Sequence, residues 1–295
     1  MEFYANLHSH STHSDGKHTP SEMVKVAKAE GYKAIAITDH DTATAYSELK
    51  ATCDAEGMEC IFGVEFSTEI HPVLGEDFHL VGFHFDPEHP EMKQYLEDMS
   101  IRETHTTMQI FEEGVAKGTL TGITWDEVLE YNKGITWLCQ EHVFRALMDK
   151  GAATIEEFPA WSKANYYRHW ERYEPIRPFK KLEEIIDLIH RAGGIVIIAH
   201  PVGARINMLN ALLDMGVDGF EVWHSEMTEE EQKIAFAFCK EHKLYMSGGS
   251  DHHGLCGGLY ASYEKEEDCP YYIKPLSCGV PKEYFDEIKN MKINR

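Results

Sequence analysis

The chain has 295 residues, 43% hydrophobic and 26% charged, which is ordinary for a globular protein and long enough to bury a substantial core. Its formal charge of −22 argues against a nucleic-acid surface, which needs a basic stripe, and no apolar run is long enough to span a membrane. Seven cysteines, odd in number and without a CxxC pair, together with the lack of a basic-then-apolar leader, read as reduced thiols in a cytoplasmic protein.

Tyr4 to His8 reads as a short first strand. Side chains two apart on a strand share a face, so His8 and His10 present two imidazoles side by side. The turn-like Ser14-Asp15-Gly16 follows. Thr19-Pro20-Ser21-Glu22 then opens a helix with a capping box and a proline at the first helical position, and Gly31 stops it. Lys33 to Thr38 is an apolar run too short for a helix, ending in Asp39-His40-Asp41. A helix from about Thr42 to Gly57 precedes the run Cys60–Val64, which ends in Glu65. This alternation predicts βαβ units and a parallel sheet. Phe78 to Phe85 alternates and reads as another strand.

From residue 86 to 178 the rhythm changes to polar, mostly helical segments, with helices expected over Met92–Lys117, Thr124–Asn132 and Glu141–Lys150. We read this as a helical cap inserted into a domain made of 1–85 and 179–295. The rhythm then resumes. A helix over Leu182–Ala192 leads to the strand Ile195–Ala199 and His200, and a helix over Leu209–Met215 leads to the strand Gly219–Trp223 and His224. A helix capped by Thr228 leads to the strand Lys243–Ser247, followed by Gly249-Ser250-Asp251-His252-His253-Gly254. The tail after Tyr260 is irregular, with a last helix over Pro281–Met291.

His8, His10, His40, Glu65, His79, His200, Asp251 and His253 all lie within strands or just past their ends. In an α/β barrel those ends converge on one face. Six such ends in a regular series, in a chain with eighteen histidines, point to a site for several metal ions. Mixed imidazole and carboxylate ligation without cysteine suits Mn, Fe or Zn better than Ca or Mg. Paired ions lower the pKa of bound water and clamp the oxygens of a phosphate ester. No GxxxxGK[ST] loop, GxSxG elbow or Rossmann glycine fingerprint is evident.

Leu7-His8-Ser9-His10 with Ser14-Asp15-Gly16, Ile37-Thr38-Asp39-His40-Asp41-Thr42, Gly63-Val64-Glu65-Phe66-Ser67, His79-Leu80-Val81-Gly82, Ile198-Ala199-His200-Pro201 and Gly249 to Gly254 resemble the PHP (polymerase and histidinol phosphatase) family. The resemblance implies a distorted (β/α)7 barrel, TIM-like, with a trinuclear metal centre. It implies that His8, His10, Glu65 and Asp251 hold one ion, that Glu65 bridges to a second held by His79 and His200, and that Asp15, His40 and His253 hold a third. It also implies that a hydroxide bridging two ions attacks phosphorus, with Glu65 and Asp251 central to catalysis.

His224, at a strand end, is a candidate substrate contact, whereas His84 and Glu221 read as structural and His13 as solvent-facing or outside the ligand set. The phosphate needs fixed positive charge, for which arginine's planar fork is best suited. Arg145 and the neighbouring His142 are the first candidates. Where relatives carry an Arg-Pro-His-type segment this chain has Cys139-Gln140-Glu141-His142, so Arg168, Arg172, Arg177, Arg205 and Lys163 are alternative sources. The expected function is metal-dependent hydrolysis of a small phosphorylated metabolite, a nucleotide or sugar phosphate with cyclic phosphates included, using two to three divalent ions and releasing inorganic phosphate. Histidinol-phosphate phosphatase and a nuclease or DNA-polymerase-associated editing module are the alternatives, with no nucleic-acid or membrane partner expected.

Overall fold

Local signals start the fold. Thr19 accepts from the backbone of Glu22 while Glu22 reaches back to Thr19, and Pro20 begins helix α1 (Pro20–Ala29). That helix buries Met23, Val24 and Ala27 against Leu49 and Cys53 of α2 (Tyr46–Glu56) and Ile35 of strand β2 (Ala34–Ile35). A computed structural model describes residues 2–166, 172–254 and 278–291. The remaining described strands are β1 (Ala5–Asn6), β3 (Glu59–Cys60), β4 (Gly63–Ser67), β5 (His79–Phe83), β6 (Ile195–Ile198), β7 (Gly219–His224) and β8 (Tyr245–Gly249).

These strands form a mixed α/β fold with two sheets. One has the order β1-β2-β3 and is parallel. The other has the order β4-β5-β6-β7-β8, with β5 antiparallel to both neighbours and the rest parallel. The sheets meet at two seams through single bridges, His40 to Glu65 and Ser9 to His252. Among the described residues they stay open, so the expected closed ring of parallel strands is not formed by continuous ladders. Two local causes account for the difference. The link 68–78 between β4 and β5 carries no helix, so the chain turns back on itself as a hairpin. The expected run Cys60–Val64 breaks at Ile61-Phe62, and β3 and β4 join different sheets.

Close approach at the seam requires glycine. A Cβ on Gly249 would stand 2.3 Å from the backbone nitrogen of His8, so only a bare backbone lets β8 reach the segment that follows β1.

Between β5 and α7 (Leu182–Arg191) lie α3 (Pro90–Lys117), α4 (Trp125–Tyr131), α5 (Gln140–Asp149) and α6 (Phe158–Asn165). The last of these is a helix the periodicity does not announce. The first turns of α3 bury Met92, Tyr95, Leu96 and Met99 in the main core, while Phe111 joins a second cluster with Leu120, Val143, Phe144 and Phe158. The long helix α3 therefore belongs to both clusters. Helices α8 (Leu209–Asp214), α9 (Glu229–His242) and α10 (Lys282–Lys289) complete the second half. The tail expected after Tyr260 lies, up to residue 277, outside the described residues, as does Arg168. No described helix is long and apolar enough to cross a membrane.

Candidate metal centre

Both sheets deliver side chains to one buried locus. His8 and His10 are fully buried, and their Nε2 atoms face each other at 3.4 Å. His8 Nε2 stands 3.1 Å from Glu65 Oε2 and 3.3 Å from Asp251 Oδ1, and His10 Nε2 lies 3.0 Å from each of the same two oxygens. His79 Nδ1 and His200 Nε2 approach the other Glu65 oxygen, Oε1, at 2.9 and 3.2 Å. His40 connects the two edges of the cluster, with Nδ1 3.3 Å from Glu65 Oε2 and Nε2 3.7 Å from Asp15 Oδ2. His253 Nε2 is 3.3 Å from that Asp15 oxygen, and the His253 ring stacks on His10 with centroids 3.9 Å apart. All nine residues expected as ligands are thus brought together. Donor atoms within 4.8 Å of one another group as His8, His10, Glu65 and Asp251; as His10, Asp15, His40 and His253; and as His40, Glu65 and His79. His200 joins through Glu65.

Backbone strain accompanies this convergence. Asp41, His200 and Asp251 take positive φ values of 50°, 28° and 53°, and each sits at or beside a strand-end ligand. Non-glycine residues held this way cluster where the surrounding structure over-determines them.

The donor set fits divalent cations. Glu65 Oε2 has three imidazole nitrogens within 3.3 Å, yet none is aligned as a hydrogen bond, and Asp251 Oδ1 and His40 Nδ1 also lack partners. Buried polar atoms left this way are costly unless a cation satisfies them. Charge balance points the same way. Burial raises the carboxyls of Glu65 and Asp251, but the surrounding histidines more than reverse it and hold both well below the usual carboxylate range. In return, burial lowers His253, but Asp15 and Asp251 overcome it and push it up to about 10. His8 is also held well above its ordinary value, against burial, by Glu221, Glu65 and Asp251. Protons on imidazoles therefore carry the positive charge that bound cations would supply.

Behind His8 stands Glu221, fully buried on β7. It accepts a hydrogen bond from His8 Nδ1–H at 2.9 Å and another from the His200 backbone N–H at 2.8 Å, which leaves His8 Nε2 facing the cluster. Carboxylate–histidine pairs of this kind fix tautomer and ring orientation in metal sites. An inward position on a strand buried along its whole length looks the same for a packing residue and an orienting one, so the pattern alone marks Glu221 only as structural. His224 is buried beside it. Its Nδ1 accepts the Glu226 backbone N–H at 3.2 Å, so the neutral ring carries its proton on Nε2, 4.0 Å from Asp251 Oδ2. Burial lowers its pKa to about 4, so it stays neutral at pH 7.

Most of the residues expected to bind phosphate have other partners among the described residues. His142 has both ring nitrogens engaged with backbone, Nε2 donating to Thr12 O at 3.0 Å and Nδ1 accepting from Cys139 N at 3.0 Å, which leaves none for a ligand. Arg145 donates to Gly16 O at 2.7 Å. Arg177 pairs with Asp98, Arg205 with Asp77 and Glu76, and Arg172 with Glu113, while Lys163 is exposed on α6. Arg102, which the sequence reading passes over, is different. It stacks 3.8 Å over the Phe179 ring, its Nε is buried without a partner, and its positive charge acts on Asp41. Its ion-pair partner Glu103 is 3.5 Å away and is pushed up by burial to about 7, which weakens the pairing at neutral pH. The sequence offers no periodic cue for Arg102, a single polar residue midway along a long polar helix.

The PHP domain family model matches residues 6–192. A 5'-3' exoribonuclease of Haemophilus influenzae is 31% identical, covering 86% of this chain and 91% of that protein. A 3',5'-nucleoside bisphosphate phosphatase of Chromobacterium violaceum is 27% identical over 92% of this chain and 94% of that one. In fold the chain resembles a structure from Bifidobacterium adolescentis assigned as a metal-dependent phosphoesterase, with a TM-score of 0.73 at 24% identity, covering 97% and 95% of the two chains.

Replacing Glu221 by Gln should weaken metal affinity about 10–100-fold with the fold retained, read by metal titration and thermal melting; unchanged affinity would remove its orienting role. The elevated His253 predicts a sign for the stability of metal-free protein. A pKa raised from 6.5 to about 10 contributes stability that is complete below 6.5 and is lost as pH climbs toward 10. Melting temperature in EDTA should fall over that range. Added Mn should stabilise most at its upper end, where ligands are deprotonated. A rising or flat curve in EDTA would contradict the ion-pair account.

Proposed function

The chain belongs to the PHP domain family and is a hydrolase acting on phosphoric esters, and we propose that it removes phosphate from a nucleotide, with the helical segment 86–178 serving as a cap over two to three Mn, Fe or Zn ions. The observation that carries this reading is the buried Glu65 carboxylate, approached by five imidazoles and left with an oxygen that no hydrogen bond satisfies. In this reading His8, His10, Glu65 and Asp251 hold one ion, Glu65, His79 and His200 a second, and Asp15, His40 and His253 a third. Bound there, such ions polarise the phosphate and lower the pKa of water near neutrality. The chain's own groups do the rest. Arg102, whose pairing with Glu103 is weakened at neutral pH, offers its guanidinium to a phosphate oxygen. His224, neutral at pH 7, offers its Nε2–H to an oxygen of the ester and needs no change of protonation to do so. Glu221 holds His8 in register.

A cavity of about 800 Å³ supports a nucleoside leaving group. It is lined by Thr42 and Thr44, which follow His40 in the chain, by Tyr46 and Phe62, by Ser100, Thr104 and Thr136, and by the charged Glu88, Lys93 and Glu97. That is the size and the mixture of aromatic wall and sparse polar groups found in small-molecule sites. Its relatives favour the same substrate chemistry, since both named activities act on nucleotides. The exoribonuclease relative also supports a second reading, in which the nucleotide is the end of an RNA chain. The charge of −22 opposes long electrostatic contact with RNA but leaves a short terminal segment open.

Glu65→Gln should lower kcat more than about 100-fold, beyond what loss of an orienting contact costs, with the fold retained as read by circular dichroism; retained turnover would sink the metal-centred reading. Arg102→Ala should raise KM for a nucleotide about tenfold or more, the value of a charge-assisted hydrogen bond, with a smaller change in kcat. An unaltered KM would place the phosphate contact elsewhere.

A further inference from the structure

The described cysteines differ in one respect. Cys53, Cys139, Cys239 and Cys278 are buried, whereas Cys60 reaches the surface. Cys53 and Cys60 stand on either side of a tight chain reversal. Helix α2 ends at Gly57, whose positive φ of 67° lets its own N–H and that of Met58 both close on the carbonyl of Cys53. The chain then returns as β3, so Cys60 comes back beside the last turn of the helix it has just left. It packs on the small core that holds Leu49, Cys53 and Met58. The two sulfurs meet there, with the Cys53 thiol donating to Cys60.

Adjacent thiols can simply pack, or they can be oxidised together, and the surroundings favour the second. The hydrogen bond from Cys53, helped by the charge of Lys50, holds the Cys60 thiol below its ordinary value against the effect of burial, and Cys53 is pushed up in return. A partly exposed sulfur with thiolate character near a cation is the nucleophile that attacks disulfides, and a thiol beside it resolves the product. Cys239 shows the contrasting structural case, since burial pushes its thiol up to about 12.

We propose that Cys53 and Cys60 form a reversible redox site, joined as a disulfide by exchange with a small-molecule disulfide of the glutathione type. The Cys60 thiolate attacks one sulfur of that molecule and expels the other as a thiolate. Cys53 gives up its proton, attacks the Cys60 sulfur of the mixed disulfide and expels the second small thiolate. The two protons leaving the protein thiols end on the two small thiols. One protein disulfide is gained, one small disulfide is reduced, and no other reactant is needed. The bond ties α2 to β3 behind the larger cavity. Tyr46 opens α2 and Phe62 follows β3 by two residues, their rings meet edge to face with centroids 4.9 Å apart, and both line that cavity. Oxidation therefore links the two elements that carry its aromatic wall.

The test incubates Mn-loaded full-length protein at graded ratios of oxidised to reduced glutathione, traps the remaining thiols with an alkylating reagent and maps the products by mass spectrometry. Wild type should lose two thiols together and yield a peptide linking Cys53 to Cys60, fully reversed by dithiothreitol. Cys53→Ala should stop at a glutathione adduct on Cys60, and Cys60→Ser should leave Cys53 unmodified. Oxidised wild type should melt at a higher temperature than reduced, because the link restrains the unfolded chain, and neither variant should show that shift. Absence of the Cys53–Cys60 link from wild type at every ratio, or a wild type that stops at the adduct, overturns the site. A link that forms but lowers the melting temperature also overturns it, since the bond would then strain the fold. None of these readouts depends on turnover, so the phosphoesterase reading stands or falls separately.

Discussion

A carboxylate with no exposed surface is among the costliest groups a fold can hold, and Glu65 is placed where both sheets must meet it. Its backbone forms the single bridge to His40 that joins the two sheets at one seam. The His8–His10 segment reaches it only because Gly249 lets β8 approach without a side chain. The five imidazoles around it come from segments next to β1, β2, β5 and β6. Each of these segments supplies partners to the same buried charge, so the site ties the two sheets together where the bridges lie. The strain at Asp41, His200 and Asp251 is tolerated because each of those residues is held from several sides.

The loop that delivers Asp15 is secured by a different device. Asp39 accepts from Ser11 N at 2.6 Å and from the hydroxyls of Ser11 and Ser14 at 2.7 Å each, pinning the loop to the segment that follows β2. From outside, α5 and its N-cap residue Cys139 hold three of its carbonyls, with His142 on Thr12, Cys139 on Ser14 at 3.8 Å and Arg145 on Gly16. Side chains that look like phosphate ligands in a motif are thus fasteners of a ligand-bearing loop. A helix from the polar middle of the chain thereby becomes necessary to a site built mainly from strands.

These contacts explain what could be read from residues alone. Strand ends bearing His, Asp or Glu are visible because a short apolar run followed by a ligand type is a one-dimensional pattern, and the eight residues so marked do converge, joined by Asp15, which only the family resemblance marks. Strand direction is not such a pattern. The alternation of Phe78–Phe85 suits a parallel or an antiparallel strand, and only the helix-free link before β5 distinguishes them. Arginine roles are less legible still. Arg145, Arg177 and Arg205 differ from Arg102 only in which acids or carbonyls the fold sets beside them, and those neighbours are far away in sequence.

The balance of charge inside the cluster connects fold stability to chemistry. Four carboxylates there, on Asp15, Glu65, Glu221 and Asp251, are held below their ordinary range. Four imidazoles, on His8, His10, His79 and His253, are held above theirs. Each of these carboxylates therefore lies among imidazoles, several of which hold a proton more tightly than a free imidazole does. Divalent cations bound there would displace such protons, which makes metal affinity depend on pH. Because the same protons offset buried carboxylates, the stability of the metal-free fold depends on pH through the same groups.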